Sequence, residues 1–309
     1  MATIGDSRTP GRVVVIGTVG IDDIETAQAS VEGVLGGSAT YASLASRHFA
    51  PTTMSSVVGH DFPAAHLELL TERDIDLSSL ETADGLTFRW GGRYAENMNV
   101  RETTFVDLNV LEHFDPKVPQ HAVAESFVFL GNTDPSIQLR ILDQVVNPRF
   151  VVVDSMDFWI EGDRRQVSRV FSRCDCVVLN DEEARLFGGH ANIPRAVRTI
   201  LELGPTYVVV KRGEFGAALV SDHGWFFAPA YPLDEVKDPT GAGDAFAGAF
   251  LGSLAAANST DDAALRRAVV YGCVVASFTV EAFSVDRLAE LTRHDIDSRY
   301  VEFGDFAAF

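Results

Sequence analysis

Lysine and cysteine are nearly missing from this chain of 309 residues, and positive charge of any kind is scarce. The three cysteines, Cys174, Cys176 and Cys273, fit neither a disulfide framework nor a zinc site by their spacing. A reducing, cytoplasmic setting is therefore expected. Lys and Arg total 25 against 44 Asp and Glu, a formal net charge of −19, and such a surface argues against nonspecific nucleic-acid binding. No apolar run reaches membrane-spanning length, and the N-terminal MATIGDSRTPGR carries no signal-peptide core, so no membrane partner is expected. A GxxxxGK(S/T) phosphate loop is absent, and a dinucleotide fingerprint on Gly241 and Gly243 fails at Phe246, where a glycine or alanine is needed.

What remains is an ordinary globular composition, 46% hydrophobic and 22% charged, long enough for one large α/β domain. The chain opens on an apolar run, Arg12–Gly17, of buried-strand type, and a helix is expected over Gly36–Phe49. Thr87–Tyr94 and Val100–Val106 alternate around a polar turn and predict a hairpin rich in aromatics and arginines, a lid in character. Further strands are expected at Ser126–Leu130, Phe150–Asp154, Cys176–Leu179, Thr206–Val210 and Ala217–Val220. Helices lie between them, including Asp181–Phe187 and Pro194–Leu203, and the final third is helical over Ala242–Ala257 and Asp261–Phe278. Ser259 and Asp262 stand at capping-box spacing. Apolar strands alternating with helices predict a parallel sheet covered on both faces.

The most informative segment is Asp238-Pro239-Thr240-Gly241-Ala242-Gly243-Asp244, at the start of an apolar helix. Its small residues leave backbone N–H groups open to an anion, and the helix dipole adds to that attraction. A carboxylate beside an anion site repels the ligand unless it has a separate task, and taking the proton of an attacking hydroxyl is such a task. With so few cations, a phosphate site here must rely on amides, a metal ion and local residues such as Lys211. Asp22 follows the first strand, where ligands gather in a parallel sheet, and reads either as a hydroxyl acceptor or as a solvated turn acid. Asn180 with Glu183 forms a capping box, and Lys211-Arg212-Gly213-Glu214-Phe215-Gly216 joins two strands. Among lid residues, Phe88, Trp90, Arg93, Tyr94, Asn97, Asn99 and Arg101 can stack on a sugar or base, read hydroxyls, or pair with a second copy. Asn132 is a further possible hydroxyl contact.

DPTGAGDAFAGAF closely resembles the second signature of the ribokinase-like (PfkB-type) carbohydrate kinases, and the resemblance runs in order through Gly17–Asp22, Gly36-Gly37, Asn180–Glu183, Lys211–Gly216 and the last helices. It implies a three-layer α/β/α sandwich with a mostly parallel central sheet and a small β lid. The layout is a single domain over residues 1–309, with lid segments at about 24–36 and 85–110. It implies an ATP-dependent kinase in which Asp244 is the general base and the amides of Gly241, Ala242 and Gly243 form an anion hole. Asp22, Gly36 and Gly37 are then acceptor contacts, joined by Ser38, Tyr41, Trp90, Arg93 and Asn132. Ser38 and Tyr41 replace the Lys and Asn that many ribokinases carry, a departure at odds with ribose itself as acceptor. Nucleotide contacts by resemblance are Asn180, Lys211, Gly213, Gly216, Thr240 and Cys273, with Glu183 near water-coordinated Mg²⁺. Asp238 is the candidate for a monovalent cation such as K⁺. Such lids often form dimer interfaces, so a homodimer through the lid is an expectation. The rival readings are a nucleoside kinase of the same superfamily and a non-catalytic sensor of sugar or nucleotide; an intact Asp244 argues against the sensor.

Overall fold

The computed structural model describes residues 10–118 and 124–307. Residues 1–9, most of the N-terminal MATIGDSRTPGR stretch considered above, lie outside them. The described residues build thirteen strands: β1 (Val13–Ile16), β2 (Gly20–Glu25), β3 (Ser30–Gly36), β4 (Thr52–Gly59), β5 (Asp76–Ala83), β6 (Phe88–Tyr94), β7 (Arg101–Asp107), β8 (Phe127–Leu130), β9 (Phe150–Asp154), β10 (Cys176–Asn180), β11 (Tyr207–Lys211), β12 (Ala217–Ser221) and β13 (Gly224–Ala228). Nine form one sheet in the order β13-β12-β11-β10-β9-β8-β1-β4-β5, parallel from β5 to β11 and antiparallel at β12 and β13.

Continuous valine runs explain the layering. Successive side chains of a strand point to opposite faces, so a strand buried on both sides must be apolar throughout. Val13 and Val15 enter one core with the helices Ser38–Ser46, Ala242–Ala257 and Asp262–Thr279. Val14 and Ile16 enter the other, beneath Pro135–Gln144, Arg164–Phe171, Asp181–Gly188 and Ile193–Leu201. The expected α/β/α sandwich is therefore the observed one. No helix among the described residues is long and apolar enough to cross a membrane.

The remaining four strands make the lid, in the order β3-β2-β6-β7. Its hairpin is the expected one, but β2 begins at Gly20, so the lid starts before residue 24 and includes Asp22. Asp22 is thus a strand residue opposite Val34 and Trp90, not a turn acid. The β2–β6 pair is parallel and joins segments far apart in sequence, which no local pattern predicts. At the other end of the chain, the helix Asp262–Thr279 is capped by Asp261, whose carboxylate accepts from Ala264 N at 2.8 Å. Ser259 bonds that same carboxylate and stands outside the helix, which displaces the expected Ser259–Asp262 box.

Candidate active site

The C-terminal ends of the parallel strands, the first turn of Ala242–Ala257 and the inner face of the lid enclose one open cleft of about 1970 Å³. Gly241 starts that helix at φ 73°, and no side chain caps it, so first-turn N–H groups face the cleft. Of the three expected hole amides, Ala242 N already reaches Pro239 O at 3.3 Å. Both glycines are crowded, Gly241 by a buried ring and Gly243 only by the movable tip of a lysine side chain. A Cβ on Gly241 would lie 2.4 Å from the Tyr41 ring, and one on Gly243 would lie 2.7 Å from Lys211 Nζ.

Asp244 is half-buried in this turn and lines the cleft. Desolvation, followed by the nearby Asp154 carboxylate, pushes its pKa up to about 7, against the opposing charges of Lys211 and Arg101. A carboxylate poised near neutrality is a better proton acceptor than an ordinary aspartate.

On the acceptor side, Asp22 is 3% exposed and its Oδ1 has no hydrogen-bond partner among the described residues. Gly36 makes room for it, because a Cβ there would sit 1.9 Å from Asp22 Oδ2. Burial first, then the charges of Asp238, Asp23 and Asp244, raise the Asp22 pKa well above the carboxylate range. Tyr41, 1% exposed, leaves its hydroxyl unpartnered, and so do Asn132 at Oδ1 and Thr133 at Oγ1. Gly37, at φ 98°, brings the backbone against Thr18 and opens the helix Ser38–Ser46. Ser38 lines the cleft, but its hydroxyl is engaged with Thr18 N at 3.0 Å and Thr18 Oγ1 at 3.2 Å.

The lid closes over these groups. Trp90 lines the cleft with Arg101 over its ring at 5.7 Å, and Tyr94 Oη accepts from Thr240 Oγ1 at 3.0 Å. Thr240 thus lines the cleft and bonds the lid. Arg93 does not reach the cleft; it pairs with Glu25 at 2.9 Å and Glu102 at 3.5 Å within the lid sheet. Its place on the strand explains this, since Trp90 and Tyr94 share the inward face, whereas Arg93 is on the opposite one.

On the donor side, Asn180 and Glu183 make the expected reciprocal cap, each bond 2.8 Å. Burial pushes the Glu183 pKa up to about 8, and Lys211 opposes the shift. Lys211 pairs with Asp154 at 3.1 Å, a carboxylate absent from the sequence reading. Its signal was available, because Asp154 ends a parallel strand just as Asn180 and Lys211 do. Gly213 and Gly216 bound a short turn at positive φ and line the cleft, and Asn99 of the lid bonds Glu214 there at 3.4 Å. Cys273 lines the far end, its thiol pKa pushed up to about 12 by burial. Asp238 is fully buried; its oxygens accept from Thr240 N at 2.8 Å and Ser284 N at 2.9 Å, tying the phosphate turn to the loop after Asp262–Thr279.

Comparison with known proteins agrees with this architecture. The model of the pfkB family of carbohydrate kinases matches residues 11–290. A cytidine kinase of Thermococcus kodakarensis is 30% identical over 248 residues, covering 77% of this chain and 87% of its own. The nucleoside kinase of Methanocaldococcus jannaschii superposes with a TM-score of 0.78 at 18% identity, over 94% of this chain and 98% of its own. The aminoimidazole riboside kinase of Salmonella enterica, solved with aminoimidazole riboside and an ATP analogue, gives 0.72 at 20% identity, over 94% and 99%. The family match over residues 11–290 and the cytidine kinase relative lead to one conclusion: the chain belongs to the pfkB family of carbohydrate kinases and is a phosphotransferase.

Proposed function

We propose that the acceptor is a nucleoside, phosphorylated on a ribose hydroxyl by ATP with Asp244 as general base. The observation that carries the acceptor class is the buried, unpartnered Asp22 carboxylate sharing one cleft with Phe88, Trp90, Leu108 and Leu111. A carboxylate can accept from two neighbouring sugar hydroxyls, and burying it without such partners is costly. The apolar and aromatic wall matches the face of a planar base. Asn132 Oδ1 and Thr133 Oγ1, also without partners, offer acceptors for base N–H groups. A free pentose would leave both the wall and these oxygens uncovered. The relatives named as cytidine, nucleoside and riboside kinases support the same class.

In the transfer step the acceptor hydroxyl gives its proton to Asp244 and its oxygen attacks the γ-phosphorus in line, while the bond to the β-phosphate oxygen breaks. Helix N–H groups at 241–243 hold the transferring group, and the lid excludes water as a competing acceptor. Among the described residues no group of three His, Cys, Asp or Glu could hold a metal ion, a donor set that suits Mg²⁺ carried on phosphates and its own waters. When bound, Mg²⁺ would supply positive charge to the phosphates, and Glu183 would accept hydrogen bonds from its water shell. Asp238 joins two loops whose carbonyls are the candidate ligands for K⁺; equal activity in sodium, potassium and tetramethylammonium would discard that site.

The acceptor class is tested with a panel of nucleosides, free sugars and polyols, reading ADP release. A nucleoside is expected to exceed every free sugar in kcat/KM by on the order of 10²-fold, the size of effect that unpaired site groups produce. A free sugar or polyol as the best acceptor overturns the nucleoside reading and leaves the kinase intact.

A further inference from the structure

Three neighbouring parallel strands end in Asp154, Asn180 and Lys211, with Val178 opposite Asp154 and Asn180 opposite Lys211. The Lys211 side chain, 17% exposed, runs from β11 to the N-terminus of the helix Ala242–Ala257 and places its ammonium against Gly243. That is an unfavourable place for a cation on its own, because a helix N-terminus is itself positive and burial removes water from the charge. Asp154, 6% exposed, makes the position tenable: Oδ2 takes one N–H of the ammonium, and Oδ1 is fixed by Ser155 N at 2.7 Å. An ammonium has three N–H donors, so two remain for an anion arriving at the turn.

We propose that Asp154 is a positioning residue for phosphoryl transfer, holding the Lys211 ammonium at the Gly243 end of the anion hole so that it meets the transferring group. This rests on the assignment of residues 241–243 as the anion hole and adds a cation to a hole otherwise made of amides. It also gives a chain of net charge −19 a positive group at this turn: Asp154, Glu183 and Asp244 keep Lys211 charged against its burial, and Asp154 holds the ammonium in place. Asp154 touches no reacting atom in this scheme and acts through Lys211.

The test is a double-mutant cycle in the full-length enzyme, with kcat, both KM values and the pH profile of kcat/KM for the wild type, Asp154→Asn, Lys211→Met and the double variant. Lys211→Met should lower kcat by about 10²- to 10³-fold, the effect of losing one preorganised donor to a developing charge. Asp154→Asn should lower it by about 10- to 10²-fold, as for partners that orient a ligand, with acceptor KM nearly unchanged. In the Lys211→Met background, Asp154→Asn should cost nothing further.

The pH profile separates this role from simple stabilisation. Asp244 is faced by Asp154, Lys211, Arg101, Asp22 and Tyr41, and Glu183 faces the same lysine. Loss of the Asp154 charge should move the acid limb to lower pH, and loss of the Lys211 charge should move it to higher pH. Wild-type kcat in Asp154→Asn overturns the proposal, and so does an Asp154→Asn effect that persists undiminished without Lys211. Should a single variant not fold, the double variant leaves neither charge unpaired and is read instead; wild-type kcat there is equally fatal. Asp244→Asn serves as the control: retained activity in it removes Asp244 as base and with it the transfer site placed at this turn, whereas an inactive Asp244→Asn beside a normal Asp154→Asn removes only the role of Asp154.

Discussion

The two halves of the cleft treat buried polar groups in opposite ways. On the donor side each buried charge or cap has a partner inside the chain: Lys211 has Asp154, and Asn180 has Glu183. On the acceptor side Asp22, Tyr41, Asn132 and Thr133 each keep an atom without one among the described residues. An unsatisfied buried group lowers stability, and a ligand that satisfies it is bound selectively. The donor half is thus preorganised without its ligand, whereas the acceptor half is completed by one. A family of kinases can keep one donor and vary the acceptor on such a plan.

Substitutions that break the contrast should have opposite effects on stability. Removing the Lys211 charge leaves Asp154 buried and unpaired, so Lys211→Met is expected to destabilise the fold by roughly 3–5 kcal/mol, measured by denaturant unfolding. Asp22→Asn replaces a buried carboxyl group whose Oδ1 has no partner among the described residues, so it should leave the free protein as stable or about 1–2 kcal/mol more stable. The same variant should lose on the order of 10²-fold in kcat/KM for the acceptor. A destabilised Asp22→Asn would show that the carboxylate has an internal partner after all.

The contrast should also respond to pH. Asp244, Asp22 and Glu183 all have raised pKa values in the fold, so the folded state binds more protons than the unfolded chain between their ordinary range and their raised values. Their stabilising contribution is fully present below the ordinary carboxylate range and is lost as pH rises through about 7 for Asp244. Activity should run the other way, because the base works only when deprotonated: kcat/KM is expected to climb through the same window. Thermal unfolding and initial rates measured in parallel would reveal the crossing. The smallest expected effects lie in the lid. Arg93→Ala should leave acceptor kinetics within about twofold, since its partners are Glu25 and Glu102, while Tyr94→Phe should lose about 1 kcal/mol with the Thr240 hydrogen bond.

What the sequence made legible follows how local each signal is. The helix start at Gly241–Asp244, the Asn180–Glu183 box and the valine-rich strands depend on neighbours in the chain, and all of them stand where they were expected. β4, β5 and β13 were not named, since Thr52–Gly59 mixes serine and threonine with apolar residues although every position is buried. The place of Asp22 in a lid strand depends on a parallel pairing with β6, nearly seventy residues away in the chain, which no periodicity encodes. Ser38 lines the cleft, but its hydroxyl is engaged by Thr18, twenty residues earlier, a partner that no local pattern encodes. Arg93 was misplaced because a strand puts alternate residues on opposite faces, and Trp90 had claimed the inner one. The position of Asp154 at a parallel strand end is legible in the sequence, but its pairing with Lys211, two strands away in the sheet, is not.

The account depends most on Asp244 as the base of a phosphoryl-transfer site. The direct measurement is turnover and nucleotide affinity of Asp244→Asn beside the wild type, with the preferred acceptor from the panel. Turnover should fall by on the order of 10² to 10⁴, with nucleotide Kd within about twofold of the wild type. Unchanged turnover would contradict the account.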